Sequence, residues 1–322
     1  MMRSKPIRRL LLGFQLQARR HVGCLETPTG RDVQALLTGY SIEVTPKTAS
    51  EVNNFKEFLP AATRVYLAHI NGTPIDDMVS TAARLHDNGY KVMPHIPARL
   101  IKDAATLENW LTRYQNEAGV DEALLIAGDC KPYGSFDSSI QLLETGLFDR
   151  KGFQRLHFAG HPEGNHDIGD FQKLTGAILS KQHLCERTNI QDVALVTQFC
   201  FDSRPVIDWA TTLRAEGVDL PIHVGVAGPT NLKTLMKHAI VCGVGASLRV
   251  IEKRAMEMTQ LLLPYEPIDV IANLAKHKAE NPTCSIQQIH FFPFGGVYTT
   301  AEWANSHGGA SSEPVTEGSS SA

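Results

Sequence analysis

The stretch Gly39-Tyr40-Ser41-Ile42-Glu43-Val44-Thr45-Pro46-Lys47-Thr48-Ala49-Ser50 decides how the chain is read. Its apolar and β-branched residues predict a short strand over 40–44, which Pro46 ends. Within that strand stands one carboxylate, Glu43, between Ile42 and Val44. An acid buried as an anion is costly, so it is paired, protonated or in use. A lining acid salt-bridged to a neighbour and a working acid both satisfy this, and the rest of the chain has to separate them.

Working outward, strands and helices alternate. Apolar runs at 65–70, 90–96, 122–128, 155–159, 192–199, 220–226 and 287–292 predict seven further strands. Helical segments fall between them, the first running from a Ser50 cap to Leu59 and the last spanning Thr230 to Lys278, with breaks at Gly243–Gly245 and Pro264. Eight strands starting about every 25–35 residues predict an α/β fold, a single (β/α)8 TIM barrel with an extra helical segment between strands 7 and 8. An open doubly wound sheet is the rival, but no glycine fingerprint follows the first strand. The expected organisation is a basic arm and lead-in helix over 1–37, the barrel over 38–305, and a disordered Gly/Ser/Ala-rich tail over 306–322.

Composition narrows the function classes. The 322 residues are 43% hydrophobic and 20% charged with a formal charge of -3, which gives no basic excess for nucleic acid. No apolar run is long enough to span a membrane. Six scattered cysteines without a CxxC pair predict free thiols in a reducing, cytoplasmic setting. Residues 1–25 carry Arg3, Lys5, Arg8, Arg9, Arg19 and Arg20 without an acid, a pattern shared by transit peptides and by ordinary basic arms.

In a barrel of this kind the reacting groups lie at the C-terminal ends of the strands. That rim carries Glu43, His69, Asn71, His95, Asp129, the run His161-Pro162-Glu163-Gly164-Asn165-His166-Asp167, and Gln198. Such convergence of polar groups at one end of an apolar barrel predicts a site. One reading of it is a hydrolase metal centre from His95, His161, His166, Asp167 and Asp129. Barrel hydrolases commonly open with an H-x-H pair on the first strand, where this chain offers Glu43 alone, so no metal is expected.

The order of motifs resembles the methylenetetrahydrofolate reductase family across residues 38–303. Tyr40 to Thr48 is similar to the family's S-F-E-F-F-P-P-K-T and sets Glu43 on its catalytic acid. Leu124-Leu125-Ile126-Ala127-Gly128-Asp129 resembles L-R-G-D, Phe158 to Gly164 resembles A-x-Y-P-E-x-H, and Val196-Thr197-Gln198-Phe199 matches T-Q-F-F. Pro221 to Lys233 resembles P-I-x-P-G-I-x-P-x-x-N-F-K. The chain departs from the family at Ala127, which replaces an Arg, at His161, which replaces a Tyr, and at Leu232, which replaces an aromatic that stacks on nicotinamide.

The resemblance implies an FAD-dependent enzyme of one-carbon metabolism and methionine biosynthesis. Such an enzyme interconverts 5,10-methylenetetrahydrofolate and 5-methyltetrahydrofolate, with NADH or NADPH as a candidate electron partner, and a homo-oligomer is compatible with it. It implies Glu43 and Asp129 as catalytic residues, and Gln198, Phe199 and Glu43 at the substrate. It implies Tyr66, His95, Gly128, Asp129, His161, His166 and Lys181 at the flavin. Glu43, its pKa raised by apolar neighbours, would protonate the departing folate nitrogen. A metal-dependent hydrolase and a catalytically silent barrel that binds folate or flavin stay as alternatives.

Overall fold

A computed structural model describes residues 30–164, 169–241 and 264–310. The basic arm, His166 with Asp167, and the break expected at Gly243–Gly245 lie outside the described residues. Eight parallel strands close into a barrel: β1 (Ser41–Val44), β2 (Arg64–Leu67), β3 (Lys91–Pro97), β4 (Glu122–Ile126), β5 (Arg155–Gly160), β6 (Asp192–Cys200), β7 (Ile222–Ala227) and β8 (Ile286–Phe292). The ring closes where β1 pairs with β8, Ser41 opposite His290 and Ile42 opposite Phe291. The chain is thus an α/β TIM barrel. Among the described residues, no helix is long and apolar enough to cross a membrane.

Alternation along each strand divides the core in two. Ile42, Val44, Val65 and Leu67 face outward and pack with the surrounding helices. Tyr66, Met93, Leu124 and Val196 form a smaller cluster inside the barrel. The helix expected from Ser50 to Leu59 is displaced. A short helix, Pro46–Ser50, starts directly after β1, and a 3-10 turn follows at Phe55–Glu57. The cause is local, because Thr45 and Thr48 cap each other reciprocally and Pro46 takes the first helical turn.

Between β7 and β8 the extra segment is only partly helical. Thr230–Asn231 pairs antiparallel with Pro264–Tyr265, and the helices Leu232–Val241 and Ile268–Glu280 flank that pair. At the far end, the first residues of the stretch expected as a disordered tail from Ser306 are ordered. Residues 305–309 form a π-turn in which Gly309 meets the Tyr40 ring, where a Cβ would approach to 2.8 Å.

Charged residues gather at the N-terminal end of the barrel. Glu122 on β4 receives Arg64 at 2.7 and 3.2 Å and stands 3.4 Å from Arg155, which also pairs with Asp192. Arg64 and Glu122 expose only 14% and 11% of their side chains, so water screens them weakly. Removing one member strands the others in the interior. Glu122→Ala should cost about 3–5 kcal/mol in urea unfolding; a loss below about 1 kcal/mol would mean that the two arginines reach water instead.

Candidate functional site at the barrel mouth

Ile42 and Val44 point to the helices, so they do not form the surroundings of Glu43; the apolar setting expected from its sequence neighbours is absent. Glu43 turns into the upper barrel, 20% exposed, with its Oε2 3.2 Å from His95 Nε2 and 3.9 Å from His290 Nε2. The His95 contact is ionic in range, yet the ring is not aligned for a hydrogen bond, and both Nε2 atoms are left without a hydrogen-bond partner. His290 is anchored from behind by Ser41, whose Oγ lies 2.9 Å from its Nδ1. Burial holds His290 well below the usual imidazole range, and His95 and His223 nearby push the same way.

Beneath this level the barrel is filled with neutral polar rings. Tyr66 is wholly buried and packs edge-on to His290 at 4.4 Å. Burial disfavours ionisation of its phenol, whose hydroxyl shares a hydrogen bond with Nδ1 of a neutral His157. His223 stands next in line, 4.9 Å from His157 ring to ring, and burial lowers it to about 4. His157, His223 and His290 are functional-site residues that the strand-end pattern does not reveal. The missed signal is parity: each imidazole stands between two apolar residues that face the helices, which puts it at an inward position.

A second group forms on the β5–β6 side. The β6–β7 register slips between Val196 and Phe199, and Gly225 sits against the slip, where a Cβ would meet Thr197 O at 2.4 Å. Gln198 lies within this irregularity, and its side chain hydrogen-bonds His161. Lys181, on the helix Phe171–Cys185, is buried beside His161 with its Nζ 5.3 Å from the Phe158 ring. His161 is lowered first by burial and then by that neighbouring ammonium.

The remaining expected residues are spread along the rim. Asp129 is exposed on the loop after β4, and Gly128 before it takes a φ of +98°. Arg99, from the turn after β3, reaches the Gly128 carbonyl at 3.1 Å and Asp137 at 2.8 Å. A guanidinium from the turn after the neighbouring strand therefore stands near the position where Ala127 lacks one. Phe199 is 2% exposed in an aromatic cluster with Phe201, Phe292 and Phe294. Leu232 is 7% exposed under the same cluster. Of the residues weighed for a metal, His166 and Asp167 lie outside the described residues. Among the described ones, no three His, Cys, Asp or Glu side chains converge on a common point.

No protein-family model matches the sequence. Among solved structures, the barrel superposes on an uncharacterised protein from Clostridium thermocellum that binds two copies of 5-methyl-5,6,7,8-tetrahydrofolic acid. The TM-score is 0.55 at 10% identity, covering 86% of this chain and 98% of that one. A putative chitinase A from Streptomyces coelicolor gives a TM-score of 0.41 at 11% identity, over 84% and 97% of the two chains. At such identities the likeness is one of fold, and the second is too loose to bear on function.

Lys181 gives this region a measurable signature. Burial pushes its ammonium down from 10.5 to about 8. Between those values the unfolded chain holds a proton that the folded chain has released, so stability rises with pH across that window. The cost is fully present below pH 8. Lys181→Met should be more stable than the parent near neutral pH and should lack the alkaline rise in urea unfolding. Parallel pH profiles for the two proteins would contradict this placement.

Proposed function

We propose that the barrel mouth binds a reduced folate and interconverts 5,10-methylenetetrahydrofolate and 5-methyltetrahydrofolate with FAD as cofactor. The observation that carries the reading is Glu43, a partly exposed carboxyl at the mouth with an imidazole on either side. The fold likeness to a barrel that binds methyltetrahydrofolate supports the choice of substrate.

The residues present suit the cofactor. His95 Nε2 and His161 Nδ1 are buried polar atoms without partners, and Lys181 is a buried cation beside His161. FAD would be held by His95, His161, Lys181 and the backbone at Gly128, with Tyr66 supporting from within the barrel. When bound, it supplies a carrier that accepts or donates a hydride.

The chain's own groups supply the rest. Glu43 holds a proton for the folate nitrogen that departs when the five-membered ring opens, and takes it back in the reverse direction. Opening leaves a cationic iminium on the substrate, which the Asp129 carboxylate favours electrostatically. Gln198 donates and accepts hydrogen bonds at once, as the edge of a pterin requires. Leu232 offers no aromatic face, so NADH or NADPH would have to dock through other groups.

Glu43→Gln keeps the shape and removes the titrating proton. Reduction of the flavin should persist, while its reoxidation by methylenetetrahydrofolate should slow by about 10²–10⁴ in rapid mixing. Wild-type speed in a folded, flavin-loaded variant would make Glu43 structural. A loss of flavin with no folate reaction in the parent protein would favour a silent binding barrel.

A further inference from the structure

Ser41 on β1 and His290 on β8 form a pair that the proposed chemistry leaves without a part. Both are wholly buried, and Ser41 Oγ lies 2.9 Å from His290 Nδ1. The imidazole has little freedom to turn, because Tyr66 packs against it at 4.4 Å and Phe292 at 4.9 Å, ring centre to ring centre. Its Nε2 therefore keeps facing Glu43, 3.9 Å from Oε2, and is buried without a hydrogen-bond partner. A buried nitrogen in that state is costly. The Glu43 carboxyl, 20% exposed on a rotatable side chain, is the group that can close the gap.

Burial keeps the His290 ring neutral, so one nitrogen carries a proton and the other a lone pair. A serine hydroxyl both donates and accepts, which allows two arrangements. With Ser41 donating to Nδ1, the Nε2–H is presented to a carboxylate. With the Nδ1–H donating to Ser41, the Nε2 lone pair is presented to a carboxylic acid. One buried ring thus answers either proton state of Glu43 and brings no charge into the core. The bond to the carboxylate is charge-assisted and is the stronger of the two.

We infer that His290, anchored by Ser41, is a positioning residue that binds the Glu43 carboxyl in both proton states and sets the pH at which it ionises. Its part in turnover rests on the folate reading; the coupling of the two side chains does not. The other titratable groups packed around the pair are His95 from β3, Tyr66 from β2 and His223 from β7. Burial keeps the Tyr66 phenol un-ionised and lowers His223 to about 4. All three stay in place in every variant compared below, so differences between variants report His290 and Ser41.

The test is NMR of the full chain carrying isotope-labelled glutamate carboxyls. The resonance missing from Glu43→Gln belongs to Glu43, and its titration midpoint is the reading. His290→Phe should move that midpoint up by about one pH unit, the difference between a charge-assisted and a neutral hydrogen bond. His290→Gln, whose amide donates and accepts, should bring it back to the parent value. Ser41→Ala should move it up by less than His290→Phe does. In rapid mixing with methylenetetrahydrofolate, the pH–rate profile of flavin reoxidation should shift with the midpoint, at unchanged half-saturating folate. A midpoint that His290→Phe leaves in place overturns the inference, and so does a shift that His290→Gln fails to reverse. If His290→Phe does not fold, His290→Asn, too short to reach Glu43, takes its place against His290→Gln. A shifted midpoint in a protein with no folate reaction would sink the folate reading and leave the pair standing.

Discussion

The closure of β1 against β8 is the constraint on which the site depends. Pairing Ser41 with His290 and Ile42 with Phe291 fixes which residues of the two strands share the barrel interior. A slip of one residue would turn Ile42 inward and send Glu43 among the helices. In the observed register Ser41 and Glu43 both face inward and bracket His290, so one imidazole touches a serine on one nitrogen and stands near a carboxyl on the other. The immediate turn into the helix Pro46–Ser50 then leaves Glu43 next to the mouth and not deep in a long strand.

The interior so formed is unusual in carrying polar rings where barrels commonly carry branched aliphatic side chains. Its stability is compatible with that because the rings are neutral. Burial lowers His157, His223 and His290 and raises Tyr66, so no isolated charge has to be kept dry. Formal charge is confined to the two ends of the barrel. At one end Arg64, Glu122, Arg155 and Asp192 neutralise one another; at the other Glu43 meets solvent. A carboxyl at the mouth, above a column of neutral imidazoles, can exchange protons with a ligand without drawing a counter-charge into the core.

Much of the architecture was legible in the sequence because the strands are short apolar runs punctuated by Gly and Pro, and Gly119 ends its helix in the left-handed conformation that such punctuation implies. The helix after β1 was misread because Ser50 resembles a cap, whereas Thr45 and Thr48 form a reciprocal cap one turn earlier. At the site, Glu43 stood out as an acid in an apolar strand. Its environment was misjudged, since residues adjacent in a strand face opposite sides and the true neighbours come from β3 and β8. His290 and His157 were hidden within runs that read as plain strands. The nearness of Lys181 to His161 and of Arg99 to Gly128 follows from packing between elements, which no spacing in a single sequence encodes.

The central claim is that one mouth brings a reduced folate and a flavin into reaction. Anaerobic titration of the FAD-loaded protein with 5-methyltetrahydrofolate, followed by flavin absorbance, tests it most directly. Bleaching of the oxidised flavin with matching formation of methylenetetrahydrofolate is the expected result. A protein that binds the folate and keeps its oxidised flavin spectrum, or that takes up no FAD under any loading condition, would contradict it.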